Sequence, residues 1–202
     1  MPSDCRMNSV FKKLFALLLC ICLLCLTACG NNSDLALVSG ANLSSSNYNL
    51  GDAMGDYTVT DVSGNSYTFS ELLKSKKAIV INFWFINCGP CQMEFPYLQK
   101  AYDTYSDDIA VIAINPTTDK ETDIEKYATQ NELSIPLVKG DEAWITAFSL
   151  RGFPTTVVID RNGYIAFSHM GAVTQDGVFE KVFEAFTSEN YKQSTYSSLS
   201  DF

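Results

Sequence analysis

Asn82-Phe83-Trp84-Phe85-Ile86-Asn87-Cys88-Gly89-Pro90-Cys91 decides the reading of this chain. On its upstream side, Ala78 to Phe85 is an apolar run broken only by Asn82, the pattern of a strand buried on both faces. On its downstream side, Pro90 suits the first turn of a helix, where its missing N–H costs nothing, and the pattern predicts a helix from Pro90 to about Tyr105. A buried strand therefore runs into a C-x-x-C at a helix start. Two cysteines so spaced close a small disulfide ring when the first sits at the helix N-terminus and the second within the first turn. There the helix dipole and free backbone N–H groups stabilise the first thiolate, which makes Cys88 the attacking sulfur. Cys91, further inside the helix, is left to resolve a mixed disulfide.

A lone C-x-x-C also fits half a zinc site, a haem attachment or a passive structural bridge. Zinc needs four ligands, and this region offers two thiols and the single, distant His169. Haem attachment needs His after the second cysteine, where Gln92 stands. A structural disulfide across so short a loop adds little stability. Redox chemistry is the reading that remains, with no metal and no cofactor expected.

Outward from the motif, strand and helix patterns alternate. Tyr57 to Thr60 and Ser66 to Phe69 flank Gly64-Asn65 and read as a hairpin. After the first helix come a strand over Ile109 to Ile114, a helix over Asp119 to Asn131, a short strand over Ile135 to Val138 and a helix over Glu142 to Leu150. Thr155 to Asp160 and Tyr164 to Ser168 pair across Arg161-Asn162-Gly163, and a terminal helix covers Gln175 to Phe186. No internal repeat is visible. This order predicts an α/β domain with a central mixed sheet.

The 202 residues, 47% hydrophobic, suffice for one domain with extensions. With 14 Lys+Arg against 23 Asp+Glu, and no basic cluster beyond the extreme N-terminus, binding to nucleic acid is excluded as a reading. Five of the seven cysteines lie in the first 29 residues, where Arg6, Lys12 and Lys13 precede an apolar run from Leu14 to Leu26 and the small residues Thr27 and Ala28. That is the order of a secretory signal, and the run is too short for a spanning helix. Leu26-Thr27-Ala28-Cys29 resembles the lipobox of bacterial lipoproteins, which implies cleavage before Cys29 and lipid on its sulfur. An ordinary signal cut nearby, with Cys29 incidental, is the alternative. The expected organisation is a signal peptide over 1–28, a flexible tether over 29–52, the α/β domain over 53–187 and a frayed polar tail over 188–202.

Several separated motifs carry a family resemblance. Cys88-Gly89-Pro90-Cys91, Pro96 five residues later, Gly152-Phe153-Pro154-Thr155 and the hairpin from Val157 to Gly163 resemble the active-site tetrapeptide, helix-kinking proline, cis-proline loop and following hairpin of the thioredoxin fold. The N-terminal hairpin and the extra helix-strand unit from about Pro116 to Val138 are similar to the membrane-tethered thiol-disulfide oxidoreductases of the TlpA/ResA type. The resemblance implies a Cys88–Cys91 redox disulfide, an active-site loop of Asn87, Gly89 and Pro90, and a cis-proline edge at Phe153 and Pro154 that binds substrate. Trp84 reads either as core or as a substrate-binding wall of that pocket. A plain trans-proline turn is the alternative at Phe153-Pro154.

Departures matter too. Asn87 stands where family members usually carry Trp, and Asn82 replaces the buried Asp of thioredoxin, so the base must come from elsewhere. Glu94, three residues after Cys91 and on its helix face, matches the active-site Glu of the ResA type. The implied partners are disulfide-containing exported proteins, such as apocytochrome c or oxidised repair enzymes, a membrane thiol-electron carrier, and the membrane itself through Cys29. The implied place is the outer face of a bacterial cytoplasmic membrane. A disulfide-forming oxidase and a non-catalytic tethered binding module are the alternatives. A peroxidase of the same superfold would need a lone cysteine in a Thr-rich loop, and no such loop occurs. Asp119 to Glu125 reads as a charged, dipole-favoured first turn, and His169 as a surface or core residue.

Overall fold

The computed structural model describes residues 35–196 and 198–202, so the expected signal peptide and Cys29 lie outside the described residues. Thr58–Thr60 (β1) and Ser66–Thr68 (β2) pair antiparallel as the expected hairpin, followed by a one-turn helix, Phe69–Leu72 (α1), that no sequence pattern announces. Then come Ala78–Phe83 (β3), Gly89–Tyr105 (α2), Ile109–Asn115 (β4), Glu121–Gln130 (α3), Leu137–Lys139 (β5), Glu142–Ala147 (α4), Thr155–Asp160 (β6), Ile165–Met170 (β7) and Val178–Thr187 (α5). Five strands form one mixed sheet in the order β5-β4-β3-β6-β7, with β3, β4 and β5 parallel and β6 and β7 antiparallel. Gly163 closes the β6–β7 turn at φ +90°, a conformation that costs a glycine nothing.

β3 is buried along its whole length. Side chains alternate across a sheet, so Ala78 and Val80 join the apolar cluster under α2 and α5, while Ile79, Ile81 and Phe83 join the cluster on the other face with Met54 and Trp144. Asn82 follows Val80 in that alternation and faces α2. Helix α5 seals this face with Phe179, Val182, Phe183 and Phe186, one apolar stripe at helical spacing. Fully burying each such side chain contributes about 1.5–3 kcal/mol. Pro96 sits inside α2 without ending it.

The two ends depart from expectation. From Leu35 onward the segment expected as a tether is folded: Leu35, Leu37, Leu43 and Tyr48 pack on the core, and the Tyr48 hydroxyl meets that of Tyr57 at 2.6 Å. The segment also pairs with the sheet, since the Gly51 N–H donates to the Ile165 carbonyl at 2.8 Å and the Ile165 N–H to the Asp52 carbonyl at 2.9 Å. The C-terminal stretch is likewise no frayed tail. Tyr191 donates its hydroxyl to buried Asp160 at 2.8 Å, the Tyr196 N–H donates to the Ala166 carbonyl at 2.7 Å, and the Phe202 ring lies 5.3 Å from that of Phe167. Scattered Leu, Tyr and Phe supply these anchors, and the polar residues between them face water. At the opposite flank of the sheet, the Val62 N–H donates to the Leu137 carbonyl of β5 at 2.9 Å. No helix among the described residues is long and apolar enough to cross a membrane.

Candidate active site

Cys88 is the N-cap of α2, and its sulfur accepts from the Cys91 N–H at 3.2 Å. Gly89 and Pro90 fill the first helical positions, so the proline removes no helical hydrogen bond. The cysteines are joined as a disulfide with Cα atoms 5.2 Å apart, inside the ordinary range. Although it stands at the helix start, Cys88 is buried: it is 4% exposed, against 1% for Cys91. As an N-cap it turns its side chain over the first turn, into the apolar cluster that also holds Cys91. The exposed part of the loop is Asn87, Gly89 and Pro90.

One helical turn on, Glu94 is 1% exposed. Its Oε1 accepts from Asn82 Nδ2 at 2.7 Å and its Oε2 from the Val173 N–H at 2.7 Å. Asn82 Nδ2 also donates to Thr156 Oγ1 at 3.1 Å, across the register pair that joins β3 to β6. Burial raises the Glu94 pKa to about 7, while the Val173 and Asn82 hydrogen bonds favour the charged form and oppose that rise. A carboxyl so placed titrates where a general base must. Asn82, which cannot titrate, instead orients the group that does.

The Phe153–Pro154 peptide bond is cis, as the cis-proline reading expected. Pro154 leads into β6, and its carbonyl accepts from the Gly171 N–H at 2.9 Å. The Phe153 ring stands edge-on to Phe85, with centroids 5.4 Å apart, so the proline loop lies against the loop that carries Cys88. Met170, at the end of β7, is exposed beside Gly152.

Trp84 is not a wall of this surface. It is 0% exposed and packs against Phe95 and Tyr127, each with ring centroids 5.0 Å away. The reason is local: the Trp84 N–H donates to the Ile114 carbonyl at 3.1 Å, which extends the strand pattern one residue beyond β3 and keeps Trp84 on the α2 face. His169 is half-buried beside Phe167, and burial lowers its pKa. Among the described residues, no group of three His, Cys, Asp or Glu is arranged to hold a metal ion.

Two residues to which the sequence pattern gave no part in the active site reach its loop. Helix α3 begins at Glu121 rather than Asp119, and Asp119 instead accepts from the Ile86 N–H at 2.8 Å. Gln92 Nε2 donates to the Ile86 carbonyl at 2.6 Å.

Residues 50–168 match the AhpC/TSA family, well over half of the chain. The chain belongs to that family. Within the AhpC/TSA family, the chain is 32% identical over 133 residues to the thiol-disulfide oxidoreductase ResA of Halalkalibacterium halodurans, spanning 64% of this chain and 73% of that protein. It is 27% identical over 134 residues to the thioredoxin-like protein YneN of Bacillus subtilis, spanning 65% and 78%. A crystal structure of a thioredoxin-family thiol:disulfide interchange protein from Chlorobium tepidum superposes with a TM-score of 0.58 at 20% identity, over 70% of this chain and 99% of that one, which shows the shared thioredoxin fold. With the Cys88–Cys91 pair at bonding distance, this AhpC/TSA-family chain is a thiol-disulfide oxidoreductase of the ResA type.

Proposed function

We propose that this enzyme reduces disulfides of exported proteins on the outer face of a bacterial cytoplasmic membrane, held there by lipid on Cys29. The reductive direction rests on Gly89-Pro90, the dipeptide that resembles thioredoxin's, and the exchange itself on Glu94, a buried carboxyl one turn past Cys91 whose pKa, raised to about 7, suits the step in which Cys91 loses its proton. The Cys88 thiolate attacks a client disulfide, forms a Cys88–client S–S bond and expels one client thiolate. Glu94 takes the Cys91 proton, and the Cys91 sulfur then attacks that of Cys88. The second client thiolate leaves, and the two client sulfurs take up the protons that left Cys88 and Cys91. Two electrons have passed to the client, and the Cys88–Cys91 bond stands as in this structure. A thiol carrier in the membrane restores the dithiol by the reverse exchange.

The clients are disulfide-bonded exported proteins such as apocytochrome c or oxidised repair reductases. The location rests on the signal-like segment and on Leu26-Thr27-Ala28-Cys29, and the acidic balance of the chain makes lipid rather than charge the attachment to an anionic membrane. The deciding measurement is the reduction potential of the Cys88–Cys91 pair at neutral pH. A value near about −270 mV, that of thioredoxin, supports the reductase, and one near about −120 mV makes the protein a disulfide-forming oxidase.

A further inference from the structure

Ile86 lies two residues before Cys88, and both of its backbone polar groups are held from outside the loop. Its N–H donates to Asp119 Oδ2 at 2.8 Å, and its carbonyl accepts from Gln92 Nε2 at 2.6 Å. Gln92 follows Cys91 on α2, whereas Asp119 comes from the connection between β4 and α3. Asp119 is itself braced. Asn115 Nδ2 donates to the same carboxylate oxygen at 2.9 Å, and Asn115, fully buried at the end of β4, accepts from the Thr117 hydroxyl at 2.8 Å and the Thr117 N–H at 3.2 Å. β4 runs beside β3 in parallel register, so the brace is anchored in the sheet. One residue of the loop is thereby tied both to the sheet and to the helix that bears the second cysteine.

We propose that Asp119 is a positioning residue for the redox pair: together with Gln92 it fixes the Ile86 backbone and so holds Cys88 over Cys91 when the bond between them is open. In the oxidised protein, where the clamp is already in place, the disulfide itself fixes the two sulfurs. In the dithiol nothing covalent does, and the tendency of the sulfurs to rejoin depends on how closely loop and helix hold them, an effective concentration. The clamp keeps that concentration high, favours the disulfide over the dithiol, and makes the enzyme a stronger reductant. This holds for any client and any membrane arrangement, because it concerns the difference between variant and parent and not the parent's own potential.

The test is equilibration of the mature protein with glutathione buffers, in which protein disulfide plus two glutathione thiols gives protein dithiol plus glutathione disulfide. Asp119→Ala removes the acceptor of the Ile86 N–H and shifts this equilibrium about tenfold towards the dithiol, a potential about 30 mV higher. Asp119→Asn keeps a carbonyl oxygen for the Ile86 N–H and stays within about threefold of the parent, since an amide oxygen accepts as a carboxylate does. Gln92→Ala shifts the equilibrium in the same direction, and the double variant shifts it by less than the sum because both act on one residue. A lower melting temperature with an unchanged potential in Asp119→Ala overturns the proposal, as does an Asp119→Asn shift equal to that of Asp119→Ala, which would assign the effect to charge. If Asp119→Ala does not fold, exposed Gln92 decides alone, and an unchanged potential in Gln92→Ala overturns it.

Discussion

Replacing Glu94 by Gln keeps the shape of the side chain and leaves it nothing to ionise, and the surrounding groups admit the change. The Gln oxygen still accepts from the Val173 N–H. Its amide nitrogen then faces Asn82, whose own amide turns over to present an oxygen that also accepts from the Thr156 hydroxyl. The parent carboxyl has its pKa raised from 4.5 to about 7 by burial. Between those values the native protein binds a proton that the unfolded chain has released, so stability falls as pH rises, by about 1.36 kcal/mol per pH unit. The loss begins near the unfolded value and is complete above about pH 7, roughly 3 kcal/mol in all. Solvent screening removes little of it, because Glu94 is 1% exposed. Urea unfolding of the oxidised proteins, followed by the fluorescence of buried Trp84 and Trp144, should show the stability difference widening in favour of Glu94→Gln by roughly 2–3 kcal/mol between pH 5 and pH 8. At pH 8, where the parent Glu94 is ionised, the variant should resolve mixed disulfides about a hundredfold more slowly, the scale of a lost general base, and the difference should shrink towards pH 5. A stability difference constant across that pH range would refute the reasoning.

Cys91→Ser should accumulate mixed disulfides with clients through Cys88, identifiable by mass spectrometry; adducts found on Cys91 in Cys88→Ser, and none in Cys91→Ser, would reverse the assignment. Cys29→Ser should move the protein from the membrane to the soluble fraction with its reduction potential unchanged, and retention in the membrane would remove the lipid anchor from the account. Deleting residues 189–202 should lower unfolding stability by about 2–4 kcal/mol, because it strips half-buried Tyr191, Tyr196, Leu199 and Phe202 from the core. An unchanged urea midpoint would restore the frayed tail.

The parts of this protein written in local pattern were legible. An apolar run followed by C-x-x-C announced β3 and α2, and Asn-Gly after a strand announced the β6–β7 turn, because neighbours in sequence decide those structures. Glu94 was found by its spacing from Cys91, but its partner Val173 stands 79 residues away, a relation that no periodicity carries. Asp119 was misread for a similar reason. Acids clustered before a helix look like dipole-favoured first-turn residues, yet this one reaches back 33 residues to the Ile86 backbone. Trp84 stayed open between core and pocket wall because its facing depends on one hydrogen bond past the end of β3. The terminal segments escaped because single Leu, Tyr and Phe anchors among Ser and Asn give no sustained period.

Both flanks of the sheet are occupied: Gly51, Asp52 and Tyr196 bond to β7, and Val62 bonds to β5. A bare strand edge is a template on which any extended chain can add itself, and proteins that leave one open invite aggregation. The reductase proposed above would meet proteins whose disulfides are still being rearranged and whose segments are extended and unpaired. Covering β7 with the segments that flank the domain, and β5 with the β1–β2 connection, leaves such chains the redox end of the molecule, where the bond that forms is one the chemistry undoes.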